Sequence, residues 1–459
     1  SSVHGVAKME KQRQGKKRHL VVVPAPLQGH LTPMLQLASI LHSKGFSITI
    51  AHTLFNSPDP SNHPNFQFLP FSDGISHQAT DSISSHNIPS LVSTLAANCV
   101  SPFRQLLLHF TSENNIACII YDGFMYFVES VAQQLCLPTL LLRTTSLTNV
   151  MAYHYIHRIL AQGCLPLQDE SVVPELEPLR FKDLPTFNFT NSDVLQNQLN
   201  IVQRGIKSSV GVIFNTADCL ESQRVDELRQ IHQVPIFPIG PFHSMAPDSC
   251  SSFLEQDYSC MTWLNEQAPR SVVYVSLGSI VTWEEKELTE MAHGLANSKQ
   301  RFLWVVRGGR GISVEEWVKS LAEEVREAIE ERGCLVRWAP QKEVLAHVAV
   351  GGFWSHCGWN STLESLYEGK PVICQACFGD QRVNSRLVSH VWKVGVEWYC
   401  DDVVMDRREV EKAVKTLLAD QQMWERAQEL KRQLRQAVTQ GGSSHEALLH
   451  LVDHILSIS

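Results

Sequence analysis

The chain of 459 residues is longer than one ordinary domain of roughly 150 residues, so two or three domains are expected. With 44% hydrophobic and 19% charged residues, 24 Gly and 21 Pro, it can bury large cores, which excludes fibrous and disordered classes. Lys and Arg number 39 against 47 Asp and Glu, and the resulting net charge of −8 argues against nucleic acid as a partner.

Lys11, Arg13, Lys16, Lys17 and Arg18 form a short basic run that reads as a solvated tail. The apolar run 20–25 reads as a strand, followed by a turn and then by Thr32 and Pro33 as N-cap and first helical position. The longest charge-free stretch, 20–43, includes this strand, but Pro24, Pro26, Gly29, His30 and Pro33 interrupt it, so it is not a membrane helix. After Gly45 comes a strand at 47–51, and the pattern resumes with 116–121, a helix from about Phe124, and 139–142. Strands alternating with helices imply βαβ units on a parallel sheet. Segments 55–90 and 163–200, rich in Pro, Ser, Asn and Asp, are expected as loops that shape a substrate pocket.

Pro235, Pro238, Gly240 and Pro241, with a Ser-rich stretch to Ser259, mark a linker. The expected division is a first domain at 9–250, a second at 251–442, and a final helix at about 443–459 that returns to the first. Strand runs at 272–276, 302–306, 334–338, 350–354 and 371–374 make the second domain doubly wound as well. Residues 315–332 read as one amphipathic helix around Trp317, Leu321, Val325 and Ile329. Two such domains put the C-terminal ends of both sheets along one cleft, where open α/β sheets bind ligands.

The twelve cysteines are scattered. Cys374 and Cys377 make a lone C-x-x-C without the second pair a tetrahedral zinc site needs, so no metal is expected. No signal-peptide core precedes Leu20 and no apolar anchor follows the last helix, so a cytosolic location is expected, where the sequons at Asn188 and Asn360 are chance matches. Gly308, Gly309 and Gly311 do not complete G-x-G-x-x-G, and neither the P-loop nor the G-x-S-x-G pattern occurs. Dehydrogenase, NTPase and hydrolase readings weaken accordingly. Asp401 and Asp402 lie in a polar turn and make no metal-binding pair. Residues 355–361 join an apolar strand to a helix, whose N-terminal N–H groups suit a phosphate, with His356 as an added donor. Ser361 and Glu364 also fit an ordinary capping box, and these residues alone leave both readings open.

Trp338, Ala339, Pro340 and Gln341, then Val344, Leu345 and His347, then His356, Cys357, Gly358, Trp359, Asn360, Ser361 and Glu364, then Gly369 and Pro371, and finally Asp380 and Gln381 stand in one spaced array. That array resembles the signature of plant secondary-product UDP-glycosyltransferases. Gly29 and His30 followed by Pro33, the run 275–279 and the turn 441–444 are similar to the same family, so the likeness covers essentially everything after Met9. The resemblance implies a GT-B fold, an α/β architecture of two Rossmann-like domains. The sugar donor would be held mainly by the C-terminal domain and the acceptor mainly by the N-terminal one.

Carried over by position, the resemblance implies that Trp338 stacks on uracil, that the Ala339 backbone and Gln341 hold base and ribose, and that Glu364 accepts from ribose hydroxyls. His356, Asn360, Ser361 and Ser279 would bind the pyrophosphate. Trp359, Asp380 and Gln381 would hold the sugar, with Trp359 and Gln381 favouring glucose. Thr144 or Thr145 would reach the sugar or phosphate from the N-terminal side. UDP-glucose is then a co-substrate, no cofactor stays bound, and helix N-terminal donors offset the leaving-group charge without a metal.

A histidine in a loop is by itself more often structural. The family's G-H-x-x-P loop and its aspartate after an apolar strand make His30 and Asp122 the expected catalysts: His30 takes the acceptor's proton and Asp122 orients the imidazole. One direct displacement inverts the anomeric centre and gives a β-glucoside. The run 35–55 is similar to the subgroup acting on cytokinins, phenolics and terpenoid glycosides, so the expected acceptor is a small lipophilic metabolite, a terpenoid or phenolic, glucosylated on a hydroxyl or carboxyl. Phe124, Tyr126, Met151, Tyr153, His154 and Phe189 are candidates for its pocket, each also readable as plain packing. Ala376, where the family usually has Pro, and the charged 308–332 depart from the pattern. The rivals are another UDP-sugar as donor and a nucleotide-sugar-binding protein without catalysis. A monomer with only small-molecule partners is expected.

Overall fold

The computed structural model describes residues 18–75, 88–162, 170–185, 192–247, 253–279, 283–307, 313–399 and 405–458, with the backbone alone at 192–198 and 399. Residues 11–17, Asn188, Phe189, 308–312, Asp401 and Asp402 lie outside them.

Apolar runs bounded by turns become strands buried on both faces, as parallel sheets covered by helices require. In Ile116–Asp122, for example, every residue is buried. The first sheet holds β1 (His19–Val23), β2 (Ser47–Thr53), β3 (Gln67–Phe71), β4 (Ile116–Asp122), β5 (Thr139–Arg143), β6 (Gly211–Phe214) and β7 (Ile236–Pro238) in the order β3-β2-β1-β4-β5-β6-β7. The second holds β8 (Val272–Ser276), β9 (Arg301–Val305), β10 (Gly333–Val336), β11 (Val350–Ser355), β12 (Val372–Ala376) and β13 (Gly395–Tyr399) in the order β10-β9-β8-β11-β12-β13. Each adjacent pair is parallel.

Four helices matter most for the site: α1 (Gln28–Ser43), α2 (Leu147–Ala161), α3 (Trp359–Tyr367) and the last, α4 (Ser443–Ser457). Leu448, Leu451 and Ile455 of α4 pack into the core between the first sheet and α1. The guanidinium of Arg18 donates to Leu456 O at 2.6 Å. Arg18 is therefore tied down, not part of a solvated tail.

Several boundaries differ from the sequence reading for identifiable reasons. The segment 55–90 contributes β3, whose Pro70 is tolerated because β3 is an edge strand. Helix Ser192–Ser208 begins inside the segment expected as a second loop. Pro235 precedes β7 and Pro238 is its last residue, so neither lies in a linker, and Phe242 beyond them is fully buried. The expected helix 315–332 is two helices, Val314–Ser320 and Glu323–Arg332, parted at Leu321, which turns extended and buries its side chain. Helix α1 starts at Gln28 with Pro33 inside it, so Thr32 is not its N-cap. Among the described residues no helix is long and apolar enough to cross a membrane.

Candidate active site

Chain order reverses between β1 and β4 in the first sheet and between β8 and β11 in the second, and crevices open at such switch points. Val23 pairs with Tyr121 and Ser276 with Ser355, so the residues just beyond these strands are neighbours in space. A cavity of about 980 Å³ runs between them, lined from the first domain by Gly29, His30, Asp122 and Thr144 and from the second by Ser279, Trp338, His356 and Asp380.

His30 lies in the first turn of α1, and its Nδ1 is 2.8 Å from Asp122 Oδ2 across 92 residues of sequence. Asp122 is buried at the end of β4, and its other oxygen accepts the Phe124 N–H at 2.8 Å, so the carboxylate is held at both ends. A carboxylate only accepts, so Nδ1 carries the proton and Nε2 is the basic nitrogen. Phe124 stacks on the imidazole at 4.3 Å between centroids, and the Thr144 hydroxyl lies 3.1 Å from Nδ1. Together these contacts leave the ring little rotational freedom.

Pro33 links this helix to the other domain. In an α-helix the N–H of residue 33 would bond Gly29 O, but proline has none. The freed Gly29 carbonyl accepts Asn360 Nδ2 at 2.9 Å from the N-terminus of α3. Asn360, expected at the pyrophosphate, thus has its side chain across the cleft.

Helix α3 begins at Trp359 after Gly358, with no side-chain cap. Ser361 is then a first-turn residue and Glu364 bonds elsewhere, so the alternative capping box does not form. The first-turn N–H groups face the cavity end lined by Gly358, Trp359, Asn360 and Ser361. The His356 ring is wedged between Gly278 and Gly358, where an added Cβ would come within 2.8 and 2.5 Å of Nε2. Burial, then nearby Arg307, pushes this imidazole down to about 4, so it is neutral near pH 7, and Nδ1 has no partner among the described residues. Arg307, which the sequence reading passed over, donates to Ser279 O at 2.6 Å and Gly278 O at 3.0 Å and sets the turn after β8.

At the far end Gln341 Nε2 donates to Glu364 Oε2 at 2.7 Å and to Ser361 Oγ at 2.9 Å. Burial pushes Glu364 up to about 7. Half-buried Trp338 and buried Ala339 line the same end. At the domain junction Thr145 Oγ1 donates to Asp380 Oδ2 at 2.9 Å, and burial raises the Asp380 carboxyl. Gln381 Oε1 accepts the N–H groups of Cys377 and Phe378 at 2.9 and 3.2 Å, which leaves its amide nitrogen as donor to the cavity. Trp359, expected at the sugar, lines the cavity, and its indole N–H donates to Asn215 O at 2.8 Å and ties the domains together.

The acceptor candidates divide by helical phase. Tyr153 lines the cavity together with Asn149, which was not a candidate and lies four residues before it on α2. Met151 and His154 point elsewhere, at roughly 100° of rotation per residue. Met151 is in the core, and His154 Nε2 is 2.9 Å from His232 Nε2, its pKa lowered to about 4 chiefly by burial. Neither lines the cavity, whereas Phe124 and Tyr126 do, together with Ile88, Val92, Ile201 and Val202, which pattern did not single out. Among the described residues no cluster of three or more His, Cys, Asp or Glu side chains is placed to hold a metal ion.

Two doubly wound parallel-sheet domains meeting at a long cavity define a GT-B fold. The sequence model of the family described as UDP-glucoronosyl and UDP-glucosyl transferase matches residues 237–436. UDP-glycosyltransferase 76B1 of Arabidopsis thaliana is 43% identical over 446 residues, which span 95% of this chain and 98% of that protein. Flavonol 3-O-glucosyltransferase UGT76E12 of the same plant is 43% identical over 457 residues, 96% of this chain and 98% of that one. The solved structure of Phytolacca americana UGT2 complexed with UDP-2fluoro-glucose and pterostilbene superposes with a TM-score of 0.82 at 26% identity, over 96% of this chain and 100% of that chain. Medicago truncatula UGT71G1 complexed with UDP-glucose gives 0.78 at 26% identity, over 97% and 99%. The chain belongs to the plant family 1 UDP-glycosyltransferases, enzymes that move a sugar from a UDP-sugar to a small-molecule acceptor.

Proposed function

We propose that this chain is an inverting glucosyltransferase that takes UDP-glucose and forms a β-glucoside on a hydroxyl of a small lipophilic acceptor. The observation that carries the proposal is the 2.8 Å contact of His30 Nδ1 with buried Asp122, in a ring that also lines the cavity between the domains. The acceptor oxygen bonds C1 of glucose from the face opposite UDP, its proton passes to His30 Nε2, and UDP leaves with the electron pair of the broken bond. Asp122 stabilises the imidazolium so formed. The first-turn N–H groups of α3, with neutral His356, offset the charge on the departing diphosphate.

On this reading Trp338, Ala339, Gln341 and Glu364 hold the uridine, and Ser279, His356, Asn360 and Ser361 face the diphosphate. Asp380 and the Gln381 amide nitrogen hold the sugar, with Thr144 and Thr145 beside it. A carboxylate and an amide donor suit adjacent hydroxyls, and the UDP-glucose named for the Medicago truncatula structure supports glucose. The apolar wall of Ile88, Val92, Phe124 and Val202 suits an aromatic acceptor. The flavonol and pterostilbene in two relatives' names favour a phenolic over a terpenoid. The working division remains 9–250 for the acceptor domain and 251–442 for the donor domain, with 443–459 on the first.

The test is UDP release from UDP-glucose, UDP-galactose and UDP-xylose across phenolic and terpenoid acceptors, with mass spectrometry and anomeric NMR of the products. A β-linked hexose formed best from UDP-glucose is the expected result. An α-linked product, or equal use of the three donors, refutes it.

A further inference from the structure

Arg143 closes β5, and its guanidinium sits over Gly123, the residue after Asp122. A Cβ built on Gly123 would come within 2.4 Å of Arg143 Nη1, so the guanidinium lies directly against the backbone that follows Asp122. Arg143 is 8% exposed, and what remains accessible lines the cavity. Among the described residues nothing hydrogen-bonds this guanidinium, and its Nε is buried without a partner. Tyr153 and Tyr121 attract it through space, followed by the carboxylates of Asp122 and Glu129. Their hydrogen bonds go elsewhere: Asp122 takes His30 and the Phe124 N–H, and Glu129 takes Tyr121 and Arg204.

An arginine stays charged even where burial disfavours it, and a buried cation without a hydrogen-bonded counter-ion is expensive. Its planar fork matches a carboxylate in two parallel hydrogen bonds. Ile88, Val92, Phe124 and Val202 wall the same cavity with apolar surface. We propose that Arg143 recognises the acceptor, and that preferred acceptors are hydroxy acids. Their apolar body packs on this wall, their hydroxyl meets His30, and their carboxylate pairs with the Arg143 guanidinium. The inference rests on the transferase reading above and adds an anion to the acceptor. The carboxylate stays ionised throughout: the hydroxyl oxygen bonds C1, its proton goes to His30, and UDP leaves.

The experiment compares 4-coumarate and 3-hydroxybenzoate with their methyl esters, using the wild-type chain, Arg143→Met and Arg143→Lys, with UDP-glucose as donor. The wild type is expected to favour each acid over its ester in kcat/KM by about tenfold or more. Arg143→Met is expected to collapse that ratio chiefly through KM for the acid, and Arg143→Lys to restore part of it. Wild-type preference for the esters, or a ratio unchanged in Arg143→Met, overturns the proposal. Acceptor binding in the presence of UDP, followed by tryptophan fluorescence, separates this from the transferase reading. Acids bound more tightly than esters only when Arg143 is present support the proposal even if no product forms, whereas equal binding overturns it. Should Arg143→Met fail to fold, Arg143→Gln provides the same comparison.

Discussion

Glu364 is a carboxyl group whose proposed role conflicts with the stability of the fold. It is 8% exposed, and burial raises its pKa from 4.5 to about 7. Because the folded value lies above the unfolded one, the folded protein holds this proton more tightly. The associated stability is complete below about pH 4.5 and is lost as pH rises to about 7. At about 1.4 kcal/mol per pH unit, the ionised group costs on the order of 3 kcal/mol at pH 8. Glu364→Gln keeps the shape and an amide oxygen for Gln341 Nε2, and it removes the charge. The variant is expected to unfold several degrees above the wild type at pH 8 and within about a degree of it at pH 5, followed by thermal denaturation. If Glu364 accepts from ribose hydroxyls, the same change raises KM for UDP-glucose about tenfold, the loss expected for a hydrogen bond to a charged group. A stability gain equal at both pH values, or a loss at pH 8, refutes the burial reasoning. An unchanged KM refutes the ribose contact.

His30→Ala is expected to lower turnover by roughly 10²-fold or more with UDP binding retained, and Asp122→Asn, which favours the wrong imidazole tautomer, to act in the same direction; single-turnover kinetics with calorimetry of UDP binding check both. Near-normal turnover in His30→Ala removes His30 from the mechanism. Trp359→Phe deletes the donor to Asn215 O. It should lower the unfolding temperature and leave the preference for UDP-glucose over UDP-galactose unchanged, since that indole N–H faces the domain junction; an altered preference in a donor competition assay would show that the indole itself selects the sugar. Activity is expected to persist after dialysis against EDTA, and an absolute metal requirement would contradict leaving-group stabilisation by α3 and His356.

What was legible in the sequence was whatever depends on one strand and the turn after it. The donor side is built from the segments that follow β10, β11 and β12, and the family resemblance of 338–381 assigned Trp338, His356, Glu364 and Asp380 to one cleft, which all four line. What was not legible depends on contacts between distant segments that carry no motif, unlike the pair His30 and Asp122. Arg143 reads as the polar end of an apolar strand, and only the pairing of β5 with β4 sets its guanidinium against Gly123 at the cavity. Asn215 has no chemical signature, and its functional atom is a main-chain oxygen. Met151 and His154 were grouped with Tyr153 by proximity in sequence, whereas the helix sorts them by angle.

Pro33 shows how local punctuation can carry long-range meaning. Pattern rules place a proline at the first helical position, where its missing N–H leaves nothing unpaired. In this chain the same missing donor acts one turn into α1, and what it leaves unpaired is the carbonyl of Gly29, next to His30. A free carbonyl at the cleft wall needs a donor, and Asn360 supplies one from the helix whose N-terminus faces the proposed diphosphate site. The proline therefore couples the backbone beside the base to the helix that would stabilise the leaving group. That gives the histidine and proline of this helix start one physical reason to occur together.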